Sequence, residues 1–166
     1  KSHYGTELFT SKNLSIVEKI TRNLIKLNEK RKKIEKNILN EIDFKKIIDE
    51  DKEVIIYYFN NLHEGLIGII AARLKDYFNK PSFVITNSNN LLKGSARSVQ
   101  NYHVGKIINI LLDKEIILSG GGHDMAAGFT LKKKTFLILE FLLKIIIQKK
   151  ISIKRIFFIM MPKFQQ

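Results

Sequence analysis

Residues 119–130 hold the densest set of side chains and glycines that could do chemistry in this chain. They read Ser-Gly-Gly-Gly-His-Asp-Met-Ala-Ala-Gly-Phe-Thr, so four of the nine glycines surround His123. Glycine lacks a Cβ atom, so its backbone can adopt positive φ and bring N–H groups close to an anion. A histidine can donate to phosphate or carry a proton. The segment therefore predicts a glycine-rich loop that grips a phosphate or a nucleotide.

A second candidate lies in the predicted strand at residues 91–99. Strand alternation places Lys93, Ser95 and Arg97 on one face, and small residues on the other. Only five residues of this lysine-rich chain are arginine. Arg97 beside a hydroxyl group is therefore more consistent with a bidentate phosphate contact than with a general need for charge. A solvated edge strand is the alternative interpretation.

A third candidate begins the helix predicted at residues 65–78. His63 and Gly65 stand at a strand-to-helix junction, where free backbone N–H groups and the helix dipole favour anions. His63 could contact a phosphate there. A capping role for this histidine is the alternative.

The elements that must position these residues alternate along the chain. Residues 13–48 lack Gly and Pro, and their apolar spacing predicts a long amphipathic helix that is broken at most once, near residues 30–33. A capping box of Ser15 and Glu18 is predicted at its start. Further strands are predicted at residues 53–59, 82–86, 115–118 and 129–131, and further helices at 104–112 and 136–147. This order predicts an α/β fold with a mixed sheet of about five strands and flanking helices, preceded by a long N-terminal connector helix.

Composition limits the class of protein. The 166 residues suit about one domain, and the absence of cysteine excludes thiol catalysis, thiolate metal sites and disulfides. The apolar run at residues 135–147 is too short to span a bilayer, and no signal peptide is visible at residues 1–7, so a cytoplasmic protein without a membrane partner is expected. The net charge of +13 fits a polyanionic ligand or compositional drift with a basic tail, and does not decide between them.

Together, residues 61–74, 93–98 and 120–129 resemble the DHH-associated domain of the RecJ single-stranded-DNA exonucleases. The Gly-Gly-His segment followed by Ala-Ala-Gly occurs across several DHH phosphoesterases, whereas the helix start and the Gly-Ser-Ala-Arg-Ser form point to RecJ. The chain departs from the family in having Leu62 where Trp is usual and Glu64 where Pro is usual.

The resemblance implies a division of labour. RecJ enzymes hydrolyse single-stranded DNA with Mn²⁺ or Mg²⁺ held by a DHH domain, which the associated domain faces across a cleft. It implies that Arg97 forks a phosphate, that Ser95 is an auxiliary donor, and that His123 with Gly121 and Gly122 clamps the substrate. His63 is a weaker member of this set.

No Asp-His-His run or carboxylate cluster with metal-ligand spacing occurs in this sequence, so catalytic and metal-binding residues are expected in a DHH domain supplied in cis or in trans. The isolated chain is predicted to be inactive. The predicted organisation is a connector helix at residues 1–50, a DHH-associated substrate-binding domain at 51–149 and a basic tail at 150–166. The alternatives are a stand-alone nucleic-acid or nucleotide-binding module, or part of an oligoribonuclease-type or cyclic-dinucleotide phosphodiesterase.

Overall fold

The computed structural model of the chain describes residues 4–50 and 53–148. These residues divide into two compact units, and the division falls between Asp43 and Phe44. The predicted basic tail at residues 150–166 lies outside the described residues. Within the described part of the chain, no helix is long and apolar enough to cross a membrane.

The first unit consists of two helices, α1 (Tyr4–Thr10) and α2 (Leu14–Glu41). The 28 residues of α2 run unbroken through the charged residues 30–33 and confirm a long N-terminal helix. The helix ends earlier than predicted, because Ile42 adopts an extended backbone with φ −78° and ψ 126°. The residues that follow form the separate short helix α3 (Phe44–Asp49).

Asn13 caps the start of α2. Its Oδ1 atom accepts hydrogen bonds from the backbone N–H groups of Ser15 and Ile16, at 3.0 and 3.4 Å. The predicted capping box is therefore wrong, because Asn13 already occupies the N-cap position that Ser15 was expected to fill. The carboxylate of Glu18 instead pairs with Arg22 at 3.1 Å.

The second unit is an α/β domain whose strands and helices alternate along the chain, as predicted. After α3, its elements are β1 (Ile55–Phe59), α4 (Ile67–Phe78), β2 (Ser82–Ser88), β3 (Leu91–Arg97), α5 (Val104–Asp113), β4 (Ser119–Gly122), β5 (Ala126–Lys132), a 3₁₀ turn (Lys133–Thr135) and α6 (Phe136–Gln148).

The five strands form one mixed sheet in the order β1-β2-β3-β5-β4. The pair β1 and β2 is parallel, and the other three pairs are antiparallel. The predicted α/β fold with a mixed sheet of about five strands is confirmed. Strand β3 is central, so its side chains point either into the core or onto a face that its neighbours frame.

The two faces of the sheet have different cover. One face packs on α5 and α6 in a continuous apolar core that includes Phe83, Ala96 and Phe129. Helix α4 contacts β2 and β3 on the other face. On that second face Gly121 and Gly128 remain exposed, so the β3–β5–β4 side of the sheet offers an accessible floor beside α4.

The fourth strand differs from its prediction. Residues 115–118 were expected to form a strand running into a glycine loop, but Glu115 occupies the left-handed region with φ 57° and the strand comprises Ser119–Gly122. No described glycine has positive φ. The triple glycine is therefore part of an edge strand rather than a loop, because pairing with β5 holds it in an extended backbone.

Candidate functional site

Arg97 and Ser95 leave β3 on the face that α4 covers in part. Nη1 of Arg97 donates to Oγ of Ser95 at 3.2 Å and to the carbonyl oxygen of Ala96 at 2.9 Å. Gly68, in the first turn of α4, lies against both side chains: a Cβ atom there would stand 3.2 Å from Nη2 of Arg97 and from Oγ of Ser95. The three residues thus form one contact cluster.

The charge of Arg97 meets no counter-charge in this cluster. Among the described residues, its hydrogen-bond partners are neutral oxygens of Ser95 and Ala96. Its guanidinium also lies beside Gly68 in the first turn of α4, where the helix dipole is positive. Two positive groups placed side by side favour an anion as their shared partner.

Lys93 shares this face but has its own partner. Its ammonium pairs with the carboxylate of Glu64 at 2.7 Å, and the same carboxylate accepts a hydrogen bond from Oγ of Ser88 at 2.9 Å. These contacts, with the Lys93 hydrogen bond the largest cause, lower the pKa of Glu64 below its ordinary value. Of the two cations that β3 carries on this face, Arg97 is therefore the one whose hydrogen-bond partners among the described residues include no carboxylate.

His63 shapes the chain before α4. Its Nδ1 atom accepts a hydrogen bond from the backbone N–H of Gly65 at 3.1 Å. The N-cap of α4 is Leu66, which has no side-chain cap, so His63 holds the turn before the helix rather than capping it. Nε2 of its exposed ring remains a possible donor. Leu62 is buried, and its N–H and C=O both bond Oγ1 of Thr86, at 3.0 and 2.9 Å. The junction is thus anchored to β2 even with Leu62 in place of the family's usual Trp.

The glycines of β4 have different surroundings. A Cβ atom on Gly122 would overlap the carbonyl oxygen of Ala126 and the Cα atom of Ala127, whereas a Cβ atom on Gly121 would meet no atom within 4 Å. Gly122 is therefore required for close packing of the β4–β5 hairpin. Gly121, paired with exposed Gly128, is the member of the predicted clamp whose surface is open to a ligand.

The turn between β4 and β5 is docked on the start of α5. The carbonyl oxygens of His123 and Asp124 accept hydrogen bonds from the N–H groups of Gly105 and Val104, each at 3.1 Å. Nδ1 of His103 lies 3.0 Å from Oδ1 of Asp124. The first N–H groups of α5 are thus engaged by the turn, which fixes where His123 stands.

Gly105 is a positioning residue that the sequence interpretation missed. A Cβ atom there would lie 2.9 Å from the carbonyl oxygen of His123 and 3.1 Å from that of Gly122. Its place in the first turn of an apolar helix was the available signal, because glycine lowers helix stability and needs a packing reason there.

Strand register brings Arg97 and His123 to either side of one residue of β5, and Ser95 and Gly121 to either side of Gly128. Arg97 is opposite Ala126 in β5, and the N–H of His123 donates to the carbonyl oxygen of Ala126 at 2.7 Å. Arg97 and His123 therefore flank Ala126, with their backbones about 10 Å apart, two strand spacings. We call this surface the Arg97 groove. It is defined by Gly68, Ser95, Arg97, Gly128 and His123.

The groove offers hydrogen-bond donors that suit an anion rather than ligands that suit a metal ion. Across the described ranges, no group of three or more His, Asp or Glu side chains comes together as a metal site. The described residues of this chain therefore do not fit a site for Mn²⁺ or Mg²⁺, the metals that the sequence resemblance implies for a separate DHH domain. The groove can hold an oxyanion through Arg97, the Ser95 hydroxyl, His123 and exposed glycine backbone.

An α/β domain with this groove belongs to a defined class of protein: the chain is a member of the DHHA1 domain family, which it matches over residues 51–149. Among curated relatives, the single-stranded-DNA-specific exonuclease RecJ of Haemophilus influenzae is 30% identical over 140 residues, which cover 80% of this chain. The chain spans about a quarter of the length of that relative, 24%.

Solved structures share the fold. RecJ of Thermus thermophilus, determined in complex with Mg²⁺, superposes with a TM-score of 0.71 at 21% identity, over 88% of this chain and 22% of its own. The C-Ala domain of Aquifex aeolicus alanyl-tRNA synthetase gives a TM-score of 0.50 at 16% identity, over 57% of this chain and 89% of that domain. The confirmed resemblance is therefore to a RecJ-like DHHA1 domain.

Proposed function

We propose that this chain supplies the substrate-binding half of a RecJ-like 5′-to-3′ single-stranded-DNA exonuclease. In this proposal, the Arg97 groove holds substrate phosphate, and a DHH catalytic domain, in cis or in trans, faces the groove. The observation that carries the proposal is the Arg97 guanidinium, which lies beside the start of α4 with neutral hydrogen-bond partners. The membership in the DHHA1 family and the RecJ relatives support the choice of substrate.

Each groove residue has a role that its position supports. Arg97 contacts two phosphate oxygens with its planar guanidinium, and Ser95, which already contacts that group, contributes its hydroxyl. His123 donates from the far side of the groove. The exposed backbone of Gly121 lets the DNA strand approach the sheet closely. Gly122 keeps the β4–β5 hairpin closely packed. His63 contributes Nε2 at the junction before α4.

The hydrolytic step belongs to the partner domain in this proposal. Mn²⁺ or Mg²⁺ would be bound by Asp and His residues of the DHH domain, where the metal supplies activation of water. The residues of this chain bind and orient the strand. Residues 51–149 then form the substrate-binding domain, and residues 1–50 form the connector towards the catalytic domain.

The direct test is binding of a fluorescently labelled oligo-dT to the purified 166-residue chain, followed by anisotropy at several salt concentrations. We expect weak, salt-dependent binding, because phosphate contacts release counterions, and no cleavage of the strand in the presence of Mn²⁺. Arg97→Gln should reduce affinity about tenfold or more and make the salt dependence less steep.

Arg22→Gln is the matched control, because it removes an equal charge from the exposed surface of α2. Both variants should retain the cooperative thermal transition of the parent chain. Equal loss of affinity in the two variants would show that overall charge, and not the Arg97 groove, binds DNA. Metal-dependent cleavage that survives Arg97→Gln would refute the assignment of catalysis to another domain.

A further inference from the structure

A cavity lies at the end of α4 that is far from Gly68. This cavity has a volume of about 340 Å³ and is lined by Lys75, Asn79, Ser98, Val99, Gln100 and Met125. The backbone N–H of Ser98, the residue after Arg97, donates to the carbonyl oxygen of Met125 at 2.9 Å. One wall of the cavity is therefore built directly on the strand that carries the phosphate-binding arginine.

Helix α4 forms a common wall for the groove and the cavity. Gly68 and Lys75 are seven residues apart, so they lie on the same side of α4 about 10 Å apart along its axis. Gly68 has no side chain, which leaves room for the guanidinium of Arg97 at one end of the groove. The side chain of Lys75 is 27% exposed and lines the cavity at the far end of α4, while its ammonium pairs with the adjacent Asp76.

The lining of the cavity suits a nucleoside better than a second phosphate. Helix α4 ends at this point with Asn79 in the left-handed region, φ 50°, so its last carbonyl oxygens favour hydrogen-bond donors over anions. The amides of Asn79 and Gln100 offer both donors and acceptors. Met125 is an exposed apolar side chain, 47% accessible, and its thioether can pack against an aromatic ring.

We infer that this cavity binds the base and sugar of the nucleotide whose phosphate is held by Arg97. The inference rests on the proposed function, since it extends the same groove by one subsite. Its volume lies at the lower end of the range of small-ligand pockets, which fits one nucleoside rather than an oligonucleotide. Because Met125 and the side-chain amides would contact the nucleobase, we expect a ligand with a nucleobase to bind more tightly than one without.

The test uses nuclear magnetic resonance titration of the 166-residue chain with thymidine 5′-monophosphate, thymidine 3′-monophosphate, 2-deoxyribose 5-phosphate and inorganic phosphate. We expect inorganic phosphate and deoxyribose phosphate to shift the amide signals of Gly68, Ser95 and Arg97. At least one thymidine monophosphate should also shift those of Asn79, Gln100 and Met125. The affinity for that nucleotide should exceed the affinity for deoxyribose phosphate.

Met125→Ala should weaken binding of that nucleotide about twofold to tenfold and leave inorganic phosphate binding unchanged. Leu118→Ala is the matched control, because Leu118 is an equally exposed apolar residue, 46% accessible, outside the cavity lining. The inference is overturned if both thymidine monophosphates shift only the amides near Arg97, or if Met125→Ala behaves like Leu118→Ala. If no ligand shifts the Arg97 signals, the proposed function fails and the subsite fails with it.

Discussion

Gly68 and Arg97 approach each other so closely that a Cβ atom on the glycine would lie 3.2 Å from Nη2 of the arginine. This contact joins the first turn of α4 to the central strand of the sheet. It places a guanidinium beside the positive end of a helix dipole. The two repel each other, and a bound anion would offset that repulsion.

Gly68→Ala should displace the guanidinium of Arg97 and weaken oligo-dT binding several-fold. The stability of the fold should change little, because alanine improves helix propensity by up to about 1 kcal/mol and offsets the tight contact. Anisotropy and urea denaturation measure the two effects separately. Unchanged affinity in a folded variant would show that the precise position of Arg97 does not govern binding.

Gly105→Ala should destabilise the chain by about 1 to 3 kcal/mol, because the added methyl group presses on the carbonyl oxygens of His123 and Gly122. Urea denaturation checks this expectation. Gly5→Ala is the control, since a Cβ atom on Gly5 meets no described atom within 4 Å, and it should be neutral or slightly stabilising. If both variants have the same stability as the parent, the close docking of the hairpin on α5 is refuted.

Gly94→Ala should be the more damaging core substitution. A Cβ atom at Gly94 would overlap the ring of Phe129, which packs across the central strands in the apolar core. We expect a loss of at least about 2 kcal/mol in unfolding free energy, through displacement of the ring. Gly121→Ala, at an open position of the edge strand, provides the comparison in the same denaturation experiment. Equal stabilities would contradict this packing.

Glu64 predicts a dependence on pH. Lys93, then Ser88, lower the pKa of this carboxyl in the folded chain, so its contribution to stability is present above the unfolded-state pKa. That contribution is lost as the pH falls through the lowered, folded-state pKa. A titration of the Glu64 side-chain resonance should show a midpoint below the ordinary glutamate value. A midpoint at or above that value would contradict the ion pair.

Glu64→Gln tests the same pair through DNA binding. The substitution removes the partner of Lys93 and leaves its ammonium free on the face that carries Arg97. We expect tighter oligo-dT binding with a steeper salt dependence than in the parent chain, since one more cation can contact phosphate. The double variant with Lys93→Gln should return to parental affinity. Weaker binding by Glu64→Gln would instead indicate that the carboxylate contributes to ligand contact.

Local patterns were sufficient to predict much of the fold. Apolar spacing predicted the long N-terminal helix, and the alternation of β-rich and helical segments predicted the mixed five-stranded sheet. The period of two in β3 placed Ser95 and Arg97 on one face, as the structure shows. These features depend on residues near one another in sequence, where backbone geometry and side-chain period leave few alternatives.

The conformation of the triple-glycine segment could not be predicted from its local sequence. Three consecutive glycines allow a loop and an extended strand equally, because their backbone preference is weak. Pairing of β4 with β5 and docking of the turn on Gly105 chose the strand, and neither contact is visible in the segment itself.

The sequence by itself determined the class of fold, the family and the residue types available to hold a phosphate. Only the tertiary structure decided that Lys93 is neutralised by Glu64, that Gly68 admits Arg97 to the start of α4, and that Arg97 and His123 flank one residue of β5. The physical reason is distance along the chain. Charge pairing and strand register join residues tens of positions apart, and their free energies depend on packing that no single segment contains.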